Sequence, residues 1–170
     1  MSSALLIARL IFGLAMAAHG TQKLFGWFGG RGLTTTGEFF VQLGFQPGRF
    51  FATAASAGEV VGGLLLALGL LGPVGPALII LVMIVAMLTV HIGHGFFAAN
   101  NGVELPLLFA TGALVLAFTG PGDYSLDRLL GLLWLSTPRH AWIAVAVAVA
   151  GALANFLVTR LAPASRTRAA

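Results

Sequence analysis

The sequence predicts an all-α fold, a polytopic membrane helix bundle with a four-helix core and a C-terminal fifth transmembrane helix. Three observations predict it. Hydrophobic residues make up 58% of the 170 residues and charged ones only 8%, whereas soluble domains keep about 25% charged residues to stay wetted. The apolar residues gather in runs long enough for a ~30 Å hydrocarbon core, which takes about 20 helical residues to cross. The breaks between the runs hold most of the charges and several Gly-Pro steps. The lipid bilayer is therefore the expected solvent and the first partner.

The first run, about 3–23, lacks a positive n-region. Arg9 lies inside it, and its apolar face outlasts a signal-peptide core, so it reads as a retained helix. The loop 24–49 follows, rich in phenylalanine and glycine. In it, Thr35 stands three residues before Glu38, a capping-box spacing, and Phe39, Phe40 and Leu43 recur at helical intervals. That predicts an interfacial helix over about 35–45, with an aromatic belt anchoring two helix ends as the alternative. Spans at about 50–71 and 74–97 come next, joined by Gly72-Pro73 and Gly75-Pro76 in a tight turn that makes them antiparallel neighbours. A shorter run, 105–120, carries Pro106 where the first helical turn tolerates it. The loop 120–139 opens with a turn and continues as an amphipathic stretch, and the last span covers about 140–161. The core is thus residues 1–131, and residues 132–170 add the last helix and a short basic tail. No convincing internal repeat is visible.

Five spans put the loop 24–49, the loop 98–104 and the tail on one side. That side holds Lys23, Arg31, Arg49, Arg160, Arg166 and Arg168, against Arg128 and Arg139 on the other, with Arg9 joining them if it snorkels. The excess predicts a cytoplasmic C-terminus. Chain parity also gathers the ionisable residues. His19 and Lys23 close the first span, His91 and His94 close the third, and Glu104 opens the fourth. Glu59 lies in the first half of the second, roughly 13 Å below its start at 1.5 Å per residue. All six fall in one leaflet half. A charge near the bilayer centre costs several kcal/mol, so Glu59 is expected to face the bundle and find a partner in histidine or Lys23. Gly58 and Gly62 flank it as a small-xxx-small pair. The polar group reads either as a clasp holding helices in register or as a ligand pocket, and the two are compatible.

Met83, Met87, His91 and His94 fall within about 80° of one another on a regular helix, and Met16 and His19 form a similar pair. His and Met are competent ligands for copper and haem iron, but ordinary packing accounts for the stripe, so neither haem nor copper is favoured and no metal site is assigned. Arg9, at the opposite end, is expected to pair with Asp123 or Asp127 in a structural role. Nine basic residues without a basic stripe argue against nucleic acid. No nucleophile triad, paired catalytic carboxylates or phosphate loop is present; "GWFGGRG" lacks both the preceding strand and the spacing. Zero cysteines exclude thiol chemistry on this polypeptide.

The segments "RLIFGLAMAAHGTQKLFGWFGG", "GEVVGGLLLALGL", "HIGHGFFAANNGVELPLLF" and "GPGDYSLDRLLG", across residues 9–131, resemble the DoxX family of small bacterial membrane proteins. The resemblance carries Arg9, His19, Lys23, Glu59, His91, Glu104, Asp123 and Asp127 as matching polar positions, and the helix 140–161 goes beyond the usual four-helix core. It implies the bacterial inner membrane, and likeness to the small subunit of a thiosulfate:quinone oxidoreductase or to complexes handling oxidative stress. The expectation is a membrane component of a quinone-linked redox system, an oxidoreductase subunit if it is enzymatic, with a pocket of His19, Lys23, Glu59, His91, His94 and Glu104 under the loop 24–49. Quinone is the candidate ligand. A soluble or membrane redox partner and a homo-oligomer are the expected associations. The rivals are a carrier without a redox step and a structural anchor for a soluble enzyme. Five helices without inverted repeats are few for a transporter unless it oligomerises.

Overall fold

The computed structural model describes residues 2–161, and all regular structure within them is helical. The basic tail with Arg166 and Arg168 lies outside the described residues. Helix α1 (Ser2–Phe25) is followed by α2 (Gly32–Gln42), α3 (Gly48–Leu68) and α4 (Val74–Ala86), whose apolar course continues to His94. Then come α5 (Glu104–Thr119), the short α6 (Leu126–Leu129) and α7 (Pro138–Leu161). Four of these, Ser2–Phe25, Gly48–Leu68, Val74–His94 and Pro138–Leu157, are long and apolar enough to cross a membrane, and α5 is a shorter apolar helix. Their outward faces carry exposed Ile7, Ile11, Leu14, Leu64, Val115, Val147 and Leu157, as lipid contact requires.

Helices α1 and α3 meet almost backbone to backbone. A Cβ built on Gly13 would stand 2.5 Å from the Gly63 carbonyl, and one on Gly63 would stand 2.4 Å from the Gly13 carbonyl. Only the absence of a side chain permits that approach, and in lipid, where apolar burial drives little, such close contact is what holds helices together. Gly62, by contrast, faces Leu78 and the Gly75 carbonyl on α4. The flanking glycines of Glu59 therefore pack α4, while Gly63 and Ser56 receive α1. Met16, Leu66, Ile79, Ile80, Met83, Ala113, Leu116 and Ala148 make the common core of α1, α3, α4, α5 and α7.

The connections follow local chemistry. Gly69 ends α3 at φ 62°, a left-handed cap. The next turn brings α4 back antiparallel, as the Gly-Pro steps predict. Ser125 Oγ accepts from Arg128 N at 3.2 Å and starts α6, and Pro138 opens α7 where a missing N–H is harmless. Two expectations need correction. The interfacial helix begins at Gly32, not near Thr35, and Arg31 at its start makes no side-chain cap, so the Thr35–Glu38 capping box does not form. Thr36 sits within the helix, its hydroxyl donating to the Gly32 carbonyl at 2.8 Å. The third span is not regular to its end. It widens into a π-helical turn over Met87–His91 and stops at His94, before Gly95 at φ 80°.

The ends of α1, α4 and α7 and the starts of α3 and α5 lie at one end of the bundle. Gly44 approaches the Thr159 carbonyl there, and His91 bonds to the Asn101 carbonyl. At the other end Gly122 packs on Leu5. Helix α2 roofs the first end by seating Gly37 against Arg49 and Gly48 of α3.

Candidate functional site

Lys23 stands in the last turn of α1 and Glu59 eleven residues into α3, and their side chains form an ion pair. Glu59 is 1% exposed, whereas the Lys23 side chain keeps 36% of its surface open. The pair thus has a dry end and a wet end. Its carboxylate places Oε1 on Lys23 Nζ, while Oε2 is buried with no hydrogen-bond partner. A buried carboxylate oxygen lacking a donor costs stability.

Beside the pair a cavity of about 380 Å³ opens between α2, α3, α4 and α7. Phe39, Phe40, Phe45, Phe51, Leu81 and Val85 give it apolar walls. The polar residues among its lining are Lys23, Thr36, Thr89, His91 and Asn155. Thr89 Oγ1 donates to the Val85 carbonyl at 2.8 Å, so its oxygen lone pairs are what it offers. His91 Nδ1 lies 2.7 Å from the Asn101 carbonyl. A carbonyl only accepts, so Nδ1 carries the hydrogen and Nε2 is left as the ring atom for a ligand. The widened turn at Met87–His91 sets this ring at the cavity wall, and such turns recur at functional sites.

The structure brings together only part of the expected set. Lys23 and His91 line the cavity, and Glu59 joins it through Lys23. His19 packs edge-on against Phe109, ring centres 5.8 Å apart, on the α5 side of α1. His94 folds back to the Val90 carbonyl at 2.9 Å, and Glu104 accepts from Ala98 N at 2.7 Å to hold the loop before α5. Those three take no part in the cavity wall. The residues that sequence reasoning missed are Thr36, Thr89 and Asn155. Asn155 had a signal, since it is the lone side-chain amide in the last apolar run.

At the far end Arg9 is 1% exposed and does not snorkel. Its Nη2 donates to the Tyr124 carbonyl, while Nε and Nη1 have no partner. Asp127, fully buried, accepts Leu71 N at 2.8 Å and Gly72 N at 2.7 Å, and its charge acts on Arg9 without an ion pair forming. Asp123 accepts from Ser2. The expected Arg9–carboxylate pair is thus replaced by three separate ties between the loop and the bundle: Arg9 to the Tyr124 carbonyl, Asp127 to the Leu71 and Gly72 amides, and Asp123 to the Ser2 hydroxyl. Gly69 belongs here too, because a Cβ on it would stand 1.5 Å from Arg9 Nη1.

The DoxX family model matches residues 4–92, just over half the chain. The chain belongs to the DoxX family. The matched stretch holds Arg9, His19, Lys23, Glu59 and His91 and ends short of the 9–131 over which the segments resemble the family, leaving α5 and α7 outside it. Over 89 residues the DoxX chain is 28% identical to an uncharacterized protein of Haemophilus influenzae, covering 52% of this chain and 57% of that protein. The match therefore spans little more than half of that relative's length. No solved structure matches. Within this DoxX protein, Asn155 of the cavity comes from a helix that the family match does not reach.

Proposed function

We propose that this DoxX-family membrane protein binds the head of a lipid-soluble carrier, a quinone, in the cavity beside Lys23 and Glu59, as a membrane component of a redox system. One observation carries the reading: an apolar slot of about 380 Å³ has Lys23, Thr36, Thr89, His91 and Asn155 as its polar lining residues. A quinone needs just that division, with apolar walls for ring and tail and a few donors for two carbonyl oxygens. Lys23 and the Asn155 amide serve as donors, and His91 Nε2 serves as a proton acceptor or, once protonated, a donor. Glu59 holds and aims the Lys23 side chain. These residues bind and orient the ligand; the electron donor belongs to a partner.

The test is a titration of the purified full-length protein with a short-chain quinone, wild type against Glu59→Gln. The expected result is at least a tenfold loss of affinity with unchanged helical content. Equal affinity for both proteins contradicts the proposal.

A clasp role for the same pair has its own support, since Glu59 is buried and tied to another helix. In that reading Glu59→Gln lowers the melting temperature by several degrees and leaves ligand binding untouched.

A further inference from the structure

Lys23, Thr36 and Phe39 face two cavities at once. On the side away from α4 and α7 they bound a second, more polar and more open hollow of about 390 Å³, whose other walls include Gln22, Gly30, Arg31 and Thr35. Each chamber alone is at the small end of the roughly 300–1,000 Å³ of ligand sites. Together they form an apolar chamber and a polar vestibule with one lysine at the junction.

The charges of the vestibule are unbalanced. Among the described residues the sole ion pair is Lys23 with Glu59, and Glu59 lies behind the wall. Arg31 has neither a carboxylate nor a hydrogen-bond partner among the described residues. Glu38, one turn beyond Thr35 on α2, is exposed and is not part of the vestibule wall. Among the described residues Arg31 is therefore the one uncompensated cation at the hollow, beside a Lys23 already paired with Glu59 and a Gln22 amide that donates to the Phe28 carbonyl at 3.2 Å. A neutral headgroup leaves Arg31 idle, whereas an anion uses it.

We infer that the vestibule, with Arg31 as its unpaired cation and Lys23 at its inner wall, binds the anionic head of an acidic amphiphile, carboxylate or phosphate, whose apolar chain enters the cavity past Phe39. This rests on the proposed ligand cavity and adds a charged-head subsite to it. The chemistry is shared by a free fatty acid and an acidic phospholipid. Arg31 offers a forked pair of donors that suits either oxyanion, and Lys23 offers a point charge.

The test uses the full-length protein in phosphatidylcholine nanodiscs, with thermal stabilisation as the readout. Separate arms add oleate, methyl oleate, and phosphatidylglycerol in place of part of the phosphatidylcholine. The short-chain quinone is titrated into the same wild-type preparation. The expected result is stabilisation by oleate or by phosphatidylglycerol, whichever is the natural source, and none by methyl oleate. Arg31→Gln should weaken the effective acid at least tenfold and Arg31→Lys, which keeps the charge but not the fork, should restore only part of it, with the ligand-free melting temperature unchanged in both. Stabilisation by the ester equal to that by the acid overturns the inference, as does no stabilisation by either acid or an unaffected Arg31→Gln. Quinone binding without acid binding sinks the vestibule alone. Acid binding without quinone binding sinks the quinone reading and leaves the vestibule standing.

Discussion

Three charged residues, Arg9, Glu59 and Asp127, are buried among the described residues, and Glu59 and Arg9 are handled differently. Glu59 is held by one flexible cation that water reaches, so removing either partner has unequal consequences. Lys23→Met leaves a carboxylate buried without compensation and should destabilise by roughly 3–5 kcal/mol, the range for a broken buried pair. Glu59→Gln leaves a lysine that can turn to the vestibule and should cost well under half of that. The double variant Lys23→Met with Glu59→Leu should recover much of the loss, because an apolar pair replaces a buried ionic one. Thermal unfolding in lipid nanodiscs measures all three, and equal losses from the two single variants would contradict this account of the pair. Arg9 is stiffer, locked between Gly69, Tyr124 and the field of Asp127. Sequence reading reached Glu59, Lys23 and His91 because helical parity gives depth. It could not give rotation. His19 and Lys23 are four residues apart, about 40° around a helix at 3.6 residues per turn. That angle, with the reach of the lysine arm, sends one to α5 and the other to α3. Arg9 is expected from the sequence to pair with Asp123 or Asp127; the loop that carries them does fold over it, but Arg9 donates to the Tyr124 carbonyl while Asp127 is taken up by the Leu71 and Gly72 amides.

Among the elements, α1 and α3 depend on a backbone contact that tolerates no side chain. Gly63→Leu should separate them and abolish stable folding, whereas Gly93→Ala, where nothing lies within 4 Å, should change stability by no more than about 0.5 kcal/mol. A folded Gly63→Leu protein with wild-type melting would show that the contact is dispensable. The glycine spacing was visible in the sequence, but which face met which helix was not, since Gly62 and Gly63 point to different neighbours. The spans themselves were legible to within a few residues, because lipid demands an uninterrupted apolar run and little else competes with that signal. The roof was harder. Helix α2 starts at Gly32 rather than at the polar Thr35, and the widened turn at Met87–His91 carries no composition signal that distinguishes it from a regular turn. That turn also breaks the Met83–Met87–His91–His94 stripe, so His91 reaches the cavity and His94 does not.

The molecule as a whole is a DoxX-family helix bundle whose last helix helps close the cavity. Its α7 packs on α4 and brings Asn155 to the ligand space, so truncation after residue 137 should remove quinone binding even where the remaining helices insert. From the Lys and Arg excess on the Lys23 side we propose a cytoplasmic C-terminus. A C-terminal reporter active only in the cytoplasm should give a signal, and an extracytoplasmic signal would reverse the orientation without moving the cavity to the other end of the bundle. The central claim is that the cavity beside Lys23 and Glu59 is filled by a lipid-soluble headgroup. Its most direct measurement is the quinone content, after solvent extraction, of protein purified in native lipid, wild type beside Ala86→Phe, which places a ring in the cavity. The account predicts near-stoichiometric quinone in the wild type and a small fraction of it in the variant. Quinone-free wild-type protein, or equal quinone in both, would contradict it.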